Sequence, residues 1–185
     1  KFILHVGTLE KRKNLARLIE ALHLLHQTGY TDYSLVLVGQ PSPKSDMDGS
    51  QEIYDTISRL GIKDSVLLSG YASDQDLGYF YKNAELYVFP SVNEGFGLPV
   101  LEAFHHQLPV LVADNTCLPE VGGDAVLSFD PFNSVDISSK IQQVIEDREL
   151  RENLIRKGNE RLKLFSWEKN ARELVKIFKG AVNKN

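Results

Sequence analysis

Cysteine, methionine and tryptophan occur once each in the 185 residues. The lone cysteine, Cys117, excludes an internal disulfide, and no cluster of cysteines and histidines has the spacing of a zinc site. No run approaches the roughly 20 apolar residues that cross a bilayer, and no basic stretch leads into an apolar segment with a small-residue cleavage site. Charge of one sign is also lacking. The chain has 21 basic and 25 acidic side chains along its length and a net charge of -4, so no broad positive face invites a nucleic acid. Any anionic ligand must be held locally. Two phosphate-binding fingerprints are missing too: no G-x-G-x-x-G follows a strand-like run, and G-x-x-x-x-G-K-[ST] does not occur. A dinucleotide redox domain and a P-loop nucleotidase both lose their main support.

What is present is the balance of one compact domain, 42% apolar and 25% charged. Short apolar runs rich in branched residues recur at 2–6, 34–39, 65–70, 85–90, 109–113 and, more weakly, 125–129. They are continuous rather than alternating, as strands buried on both faces are. Helical spacing lies between them. Leu15, Leu18, Ile19, Leu22 and Leu25 follow Asn14, a candidate N-cap, and Gly29 is a candidate stop. Strand and helix in alternation predict an α/β fold, a Rossmann-like, doubly wound parallel sheet of about six strands. Its ligand crevice belongs at the carboxyl ends of the strands. From about residue 133 only helical patterns remain. Ser166 can cap a last helix of about 166–182, whose apolar stripe of Trp167, Ala171, Leu174, Val175 and Phe178 is expected to pack into the core, part of it against a neighbouring domain if one exists. The loop 41–50 is the most mobile-looking connection. The opening "KFILHVG" reads as a buried strand with no lead-in, as in a piece cut from a longer protein.

Two strand-to-helix turns carry chemistry. "NEGFGLPVLEAF" (93–104) sets Glu94 and Glu102 on either side of Gly95, Phe96, Gly97 and Leu98. Pro99 suits the first helical position, so the amides of Gly97, Leu98 and Val100 would form an anion seat, with Glu102 in the first helical turn. A carboxylate there can accept hydrogen bonds from both hydroxyls of a ribose. The competing reading makes Glu102 a complement to the helix dipole, Glu94 a solvated acid and the glycines a tight turn. "GTLEKRKN" (7–14) puts Lys11, Arg12 and Lys13 at another helix start, where they can clamp a pyrophosphate or stand as a solvated basic loop balanced by Glu10. His105 and His106 are adjacent on a helix, hence about 100° apart and badly placed to share a metal. Asp114 and Asp130 are explained by turn chemistry.

Together these residues resemble a family. "NEGFGLPVLEAF" is similar to the E-x7-E segment of the family-4 retaining glycosyltransferases, and "HVGTLEKRKNLARLIEAL" resembles that family's first strand and basic turn. "VLLSGYASDQDLGYFYKNAELYVFPS" resembles its base-binding region, and "LPEVGGDAVLSFDP" the stretch after its last crossover. The resemblance covers nearly the whole chain. It implies a GT-B architecture, two Rossmann-like domains facing each other across a cleft, with residues 1–185 as the carboxyl-terminal, donor-binding one. An amino-terminal acceptor domain would then be missing, Trp167 to Phe178 partly exposed, and the domain alone inactive or nearly so.

Carried over by position, the resemblance makes Glu102 the ligand of the ribose hydroxyls, Glu94 a contact to the transferred sugar, and Lys13 the ligand of the pyrophosphate. Gly95, Phe96, Gly97 and Leu98 present backbone to sugar and phosphate. Gly7 and Thr8 line the donor site, and Tyr71, Ala72 and Asp74 fall where the base is held. Many relatives have arginine where this chain has Thr8, and Arg12 is a substitute source of that charge. The implied reaction moves a hexose from a nucleoside diphosphate to a hydroxyl with retention and without a metal or other cofactor, and Arg12, Lys13 and the helix start stabilise the leaving diphosphate. The "VGTLEKRKN" form of the turn resembles mannosyl-transferring relatives and favours GDP-mannose, with a glycan or lipid-linked acceptor, in the cytoplasm or at the inner face of the membrane. A nucleotide-sugar-binding module serving as sensor or scaffold is the other reading.

Overall fold

The structure, a computed structural model, describes residues 1–182, so the last three residues of the expected domain lie outside the described residues. Six parallel strands form one sheet: β1 (Phe2–Val6), β2 (Ser34–Val38), β3 (Val66–Gly70), β4 (Leu86–Phe89), β5 (Val110–Ala113) and β6 (Val126–Phe129). Each lies within one residue of its expected run. β4 and β5 are buried along their whole length, which is why their sequences carry no polar alternation. Helices cover both faces, giving the doubly wound α/β sheet expected from the strand-helix alternation.

The strand order is β3-β2-β1-β4-β5-β6. The chain therefore builds outward from β1 to one edge, returns to pair β4 against the other side of β1, and builds outward again. The reversal of direction leaves a crevice at the carboxyl ends of β1 and β4, since the crossovers on its two sides lead away from it. The two turns singled out above leave from those ends.

Helix α1 (Leu15–Gln27) buries Leu15, Leu18, Ile19, Leu22 and Leu25, the stripe expected of it, and Gly29 takes a positive φ of 104° two residues past its end. Asn14 does not cap it. The residue is left-handed, with φ 56° and ψ 36°, and its side chain makes no cap hydrogen bond. Its Nδ2 donates instead to the carbonyls of Pro90 and Pro131, 3.2 and 2.7 Å away, so that the start of α1 is fastened to the ends of two other strands. Helix α2 (Ser50–Leu60) follows the loop 41–50. That loop is also fastened: the Lys11 amide donates to Met47 O, the Gly49 amide to Leu9 O, and Lys11 Nζ to Asp46 O.

Helices α3 (Asp74–Asn83), α4 (Leu98–His105) and α5 (Leu118–Gly122) precede β4, β5 and β6. Then come α6 (Ser134–Glu146), α7 (Arg148–Leu162) and α8 (Trp167–Val182), the helical end of the chain. Ser166 caps α8 as expected, its Oγ accepting from the Lys169 amide at 3.3 Å. The stripe on α8 is not core. Trp167 is 79% exposed and Phe178 64%, with Leu174, Val175 and Ile177 exposed beside them. Helical periodicity records that one face avoids water and says nothing about what covers it. The partial exposure implied by the family resemblance is the reading that holds.

Candidate donor-binding site

The two turns meet. The Val92 amide donates to Arg12 O at 2.8 Å, and Arg12 Nη1 donates to Asn93 O at 3.0 Å. Sequence-distant loops become one surface because β1 and β4 are neighbours in the sheet.

At its centre is Glu94, with a side chain only 10% exposed. Its Oε1 accepts from Lys13 Nζ at 2.7 Å and from Ser91 Oγ at 2.7 Å, and lies 2.7 Å from Arg12 Nη1. Burial pushes the Glu94 carboxyl up, but the hydrogen bonds from Lys13 and Ser91, the charge of Lys13 and the hydrogen bond from Arg12 outweigh it and hold the group below the usual carboxylate range. The solvated-acid reading of Glu94 fails. Lys13 is itself 6% exposed, and its ammonium stands 4.8 Å from the centroid of the Phe89 ring. Arg12 remains one-third exposed and also pairs with Glu10 at 2.6 Å. Burial lowers its pKa and Glu94 and Glu10 more than restore it. Neither cation belongs to a solvated loop.

The chain then passes Gly95, Phe96, Gly97 and Leu98, whose amides donate to no group among the described residues. Four successive free N–H groups at the start of α4 are a seat for an anion. The expected contribution of the Val100 amide is corrected: it donates to Gly97 O at 2.9 Å. Pro99 occupies the second helical position rather than the first, because α4 begins at Leu98. Gly97 has φ 100°, and a Cβ there would stand 2.8 Å from Leu118 Cδ2, so both backbone shape and space require glycine.

Glu102 is the fifth residue of α4 and opens its second turn, not the first as expected. The dipole argument reaches only the first turn, which removes the competing explanation of this acid. Its Oε2 accepts from Tyr81 Oη at 2.8 Å. Tyr81, on α3, is 2% exposed, and His106 stacks on its ring with 5.1 Å between centroids and 2° between planes. Burial pushes the Tyr81 phenol far up, so it stays a donor, and it aims a solvent-facing carboxylate. Sequence reading missed Tyr81; the only available signal was an aromatic inside a polar amphipathic helix.

Glu102 lines a cavity of about 810 Å³ that also takes in Asp74, Tyr81, Phe96, Leu98 and Trp167. Of the other expected donor residues, Gly7 and Thr8 lie on the first turn beside Lys13, while Tyr71 is 74% exposed and Ala72 packs against the core. Tyr71 and Ala72 do not line the cavity; only Asp74 of that segment does. Among the described residues no group of three or more His, Cys, Asp and Glu could hold a metal ion, and no helix is long and apolar enough to cross a membrane. Asp130 is a turn residue as expected, its Oδ1 accepting from the Phe132 amide.

Three likenesses bear on this geometry. The chain is 37% identical over 179 residues to O-antigen chain mannosyltransferase B of Escherichia coli, covering 96% of this chain and 45% of that protein. The sucrose-phosphate synthase of Thermosynechococcus elongatus superposes with a TM-score of 0.87 at 25% identity, covering all of this chain and 46% of the other. Anabaena Alr3699/HepE in complex with UDP-glucose superposes at 0.86 with 20% identity, over 97% of this chain and 48% of that one, a likeness of fold alone. The chain thus spans about half the length of these proteins. The family model for glycosyl transferases group 1 matches residues 1–161, the span that holds both turns and both acids, and the chain belongs to that family.

Proposed function

We propose that this chain is the donor-binding half of a GT-B hexosyltransferase that takes its sugar from a nucleoside diphosphate, with GDP-mannose as donor and retention of configuration. The observation that carries the reading is the convergence of Arg12 and Lys13 on Glu94 beside four free amides, with Glu102 held out by Tyr81 on the same edge of the sheet. The diphosphate would take the amides of Gly95 to Leu98 and the two cations, and the ribose would take Glu102. As the bond from sugar to phosphate breaks, negative charge grows on the diphosphate, and Arg12, Lys13 and the helix start are already placed to meet it. In this reading the two cations and the helix start supply the counter-charge themselves, and the reaction calls on no metal ion. Glu94, held ionised, positions the sugar, and the donor's own phosphate helps to deprotonate the acceptor hydroxyl. The mannosyl choice leans on the relative in Escherichia coli. The acceptor, a glycan or lipid-linked saccharide, would be chosen by the part of the longer relatives that this chain does not span.

Titration calorimetry with GDP-, UDP- and ADP-sugars tests the proposal. GDP-mannose is expected to bind most tightly. Preference for a UDP- or ADP-sugar would overturn the choice of donor, and no binding of any would overturn the function.

A further inference from the structure

His5 lies at the end of β1, fully buried, and has no part in the site as described so far. Its Nδ1 is 3.0 Å from the carbonyl oxygen of Val88. A carbonyl only accepts, so Nδ1 carries the hydrogen, and in the neutral ring Nε2 must then be an acceptor. Burial, reinforced by the charge of Lys13, lowers the pKa of the ring to about 4 against the pull of Val88 and Glu94, and the ring stays neutral. Among the described residues nothing hydrogen-bonds to Nε2. The hydroxyl of neighbouring Tyr87 points to Val6 O instead.

What faces Nε2 is Lys13. A Cβ built on Gly7 would stand 3.4 Å from His5 Nε2, 3.4 Å from Lys13 Cε and 3.5 Å from Lys13 Nζ. Gly7, lacking a side chain, thus borders both the imidazole nitrogen and the ammonium group. The ammonium has three N–H groups; one goes to Glu94 Oε1 and the Phe89 ring face lies nearby. A buried acceptor without a donor is destabilising, and a water needs about two polar partners to be held in such a place.

We infer that His5 is a positioning residue for Lys13, acting through one water seated at the α-carbon of Gly7, which accepts from Lys13 Nζ and donates to His5 Nε2. A neutral acceptor suits this task. It fixes the direction of the ammonium without competing for its charge, so Lys13 can turn part of its field from Glu94 to a diphosphate and keep its place. The inference rests on the reading of Lys13 as a diphosphate ligand.

The test has two arms on this chain. Ring 15N NMR reads the link itself: in Lys13→Met the His5 Nε2 resonance should move towards that of a free acceptor while Nδ1–H is retained. An unmoved Nε2 resonance overturns the inference. Calorimetry with GDP and UDP, each against its nucleoside, reads the consequence. His5→Phe, which keeps the ring among Tyr87 and Phe89, should bind the diphosphates about three- to tenfold more weakly, leave the nucleosides unchanged, and add nothing in a Lys13→Met background. Equal losses for diphosphate and nucleoside, or additive losses, overturn it. If Lys13→Met leaves diphosphate binding unchanged, the reading of Lys13 falls and the positioning role with it, while the NMR arm still decides whether the hydrogen-bonded link exists.

Discussion

Glu102 and Tyr81 divide one task between them, since the acid supplies the charge and the phenol the aim. Replacing Glu102 with alanine should weaken binding of the donor by about 2 to 4 kcal/mol, because charge-assisted hydrogen bonds are each worth about 1.5 to 3 and their losses are rarely additive. Tyr81→Phe removes only the hydroxyl and should cost about 1 kcal/mol in the same titration. Binding as tight as the parent's in Glu102→Ala would remove the ribose assignment. His5 also makes a prediction about stability. Its folded pKa of about 4 lies below the ordinary histidine value near 6.5, so between these limits the unfolded chain binds more protons than the folded one. Stability should be full above about pH 6.5 and fall by about 3 kcal/mol as the pH drops to about 4. Glu94, also depressed, adds its own loss at the lower end of that range and beyond. Urea denaturation across this window should show a slope in the parent and a shallower one in His5→Phe; parallel slopes would mean that the ring is not held neutral.

Close packing of elements leaves little slack around the anion turn. Gly97→Ala would place a methyl group 2.8 Å from Leu118 Cδ2 in a left-handed backbone, and should destabilise the fold by about 1 to 3 kcal/mol while moving the amides of the turn. A thermal melt and a GDP titration of the same variant check both effects. An unchanged melting temperature would show that α5 can yield at this point. The strands and the first helix were legible in the sequence because burial on both faces, or on one helical stripe, is written into composition at fixed spacing. The caps were less so. Asn14 had the composition of an N-cap and became a brace between strand ends, since a short amide can satisfy its own helix or a distant carbonyl, and only the neighbouring strands choose. Glu102 falls one turn later in α4 than its sequence suggests, because the end of the glycine turn, and so the first residue of α4, depends on backbone angles that no periodicity reports.

Across the molecule as a whole, α8 is the outlier: a helix with a continuous apolar face of Trp167, Leu174, Val175 and Phe178 that meets no core of this chain. Exposed positions contribute little to folding, so Leu174→Glu with Phe178→Lys should change stability by less than about 0.5 kcal/mol and reduce self-association. Urea denaturation and analytical ultracentrifugation would test this; a large loss of stability would mean that the face is buried in solution.

Local periodicity, glycine and proline placement and the residue types of two turns were enough to read the strands, the alternation of helices and the acids and cations of the site. They could not set Lys13 against Glu94, 81 positions away, nor bring Tyr81 under Glu102. Those pairings follow from the order β1-β4 at the middle of the sheet and from the reach of Tyr81, on α3, to Glu102 and His106 at α4. A run of hydrophobic residues marks a strand without ranking it: β3 and β6 carry similar runs, yet they form the edges of the sheet and stay partly exposed, while β4 and β5 are buried throughout. The choice among them is made by crossovers and packing that exist only when the whole sheet is assembled.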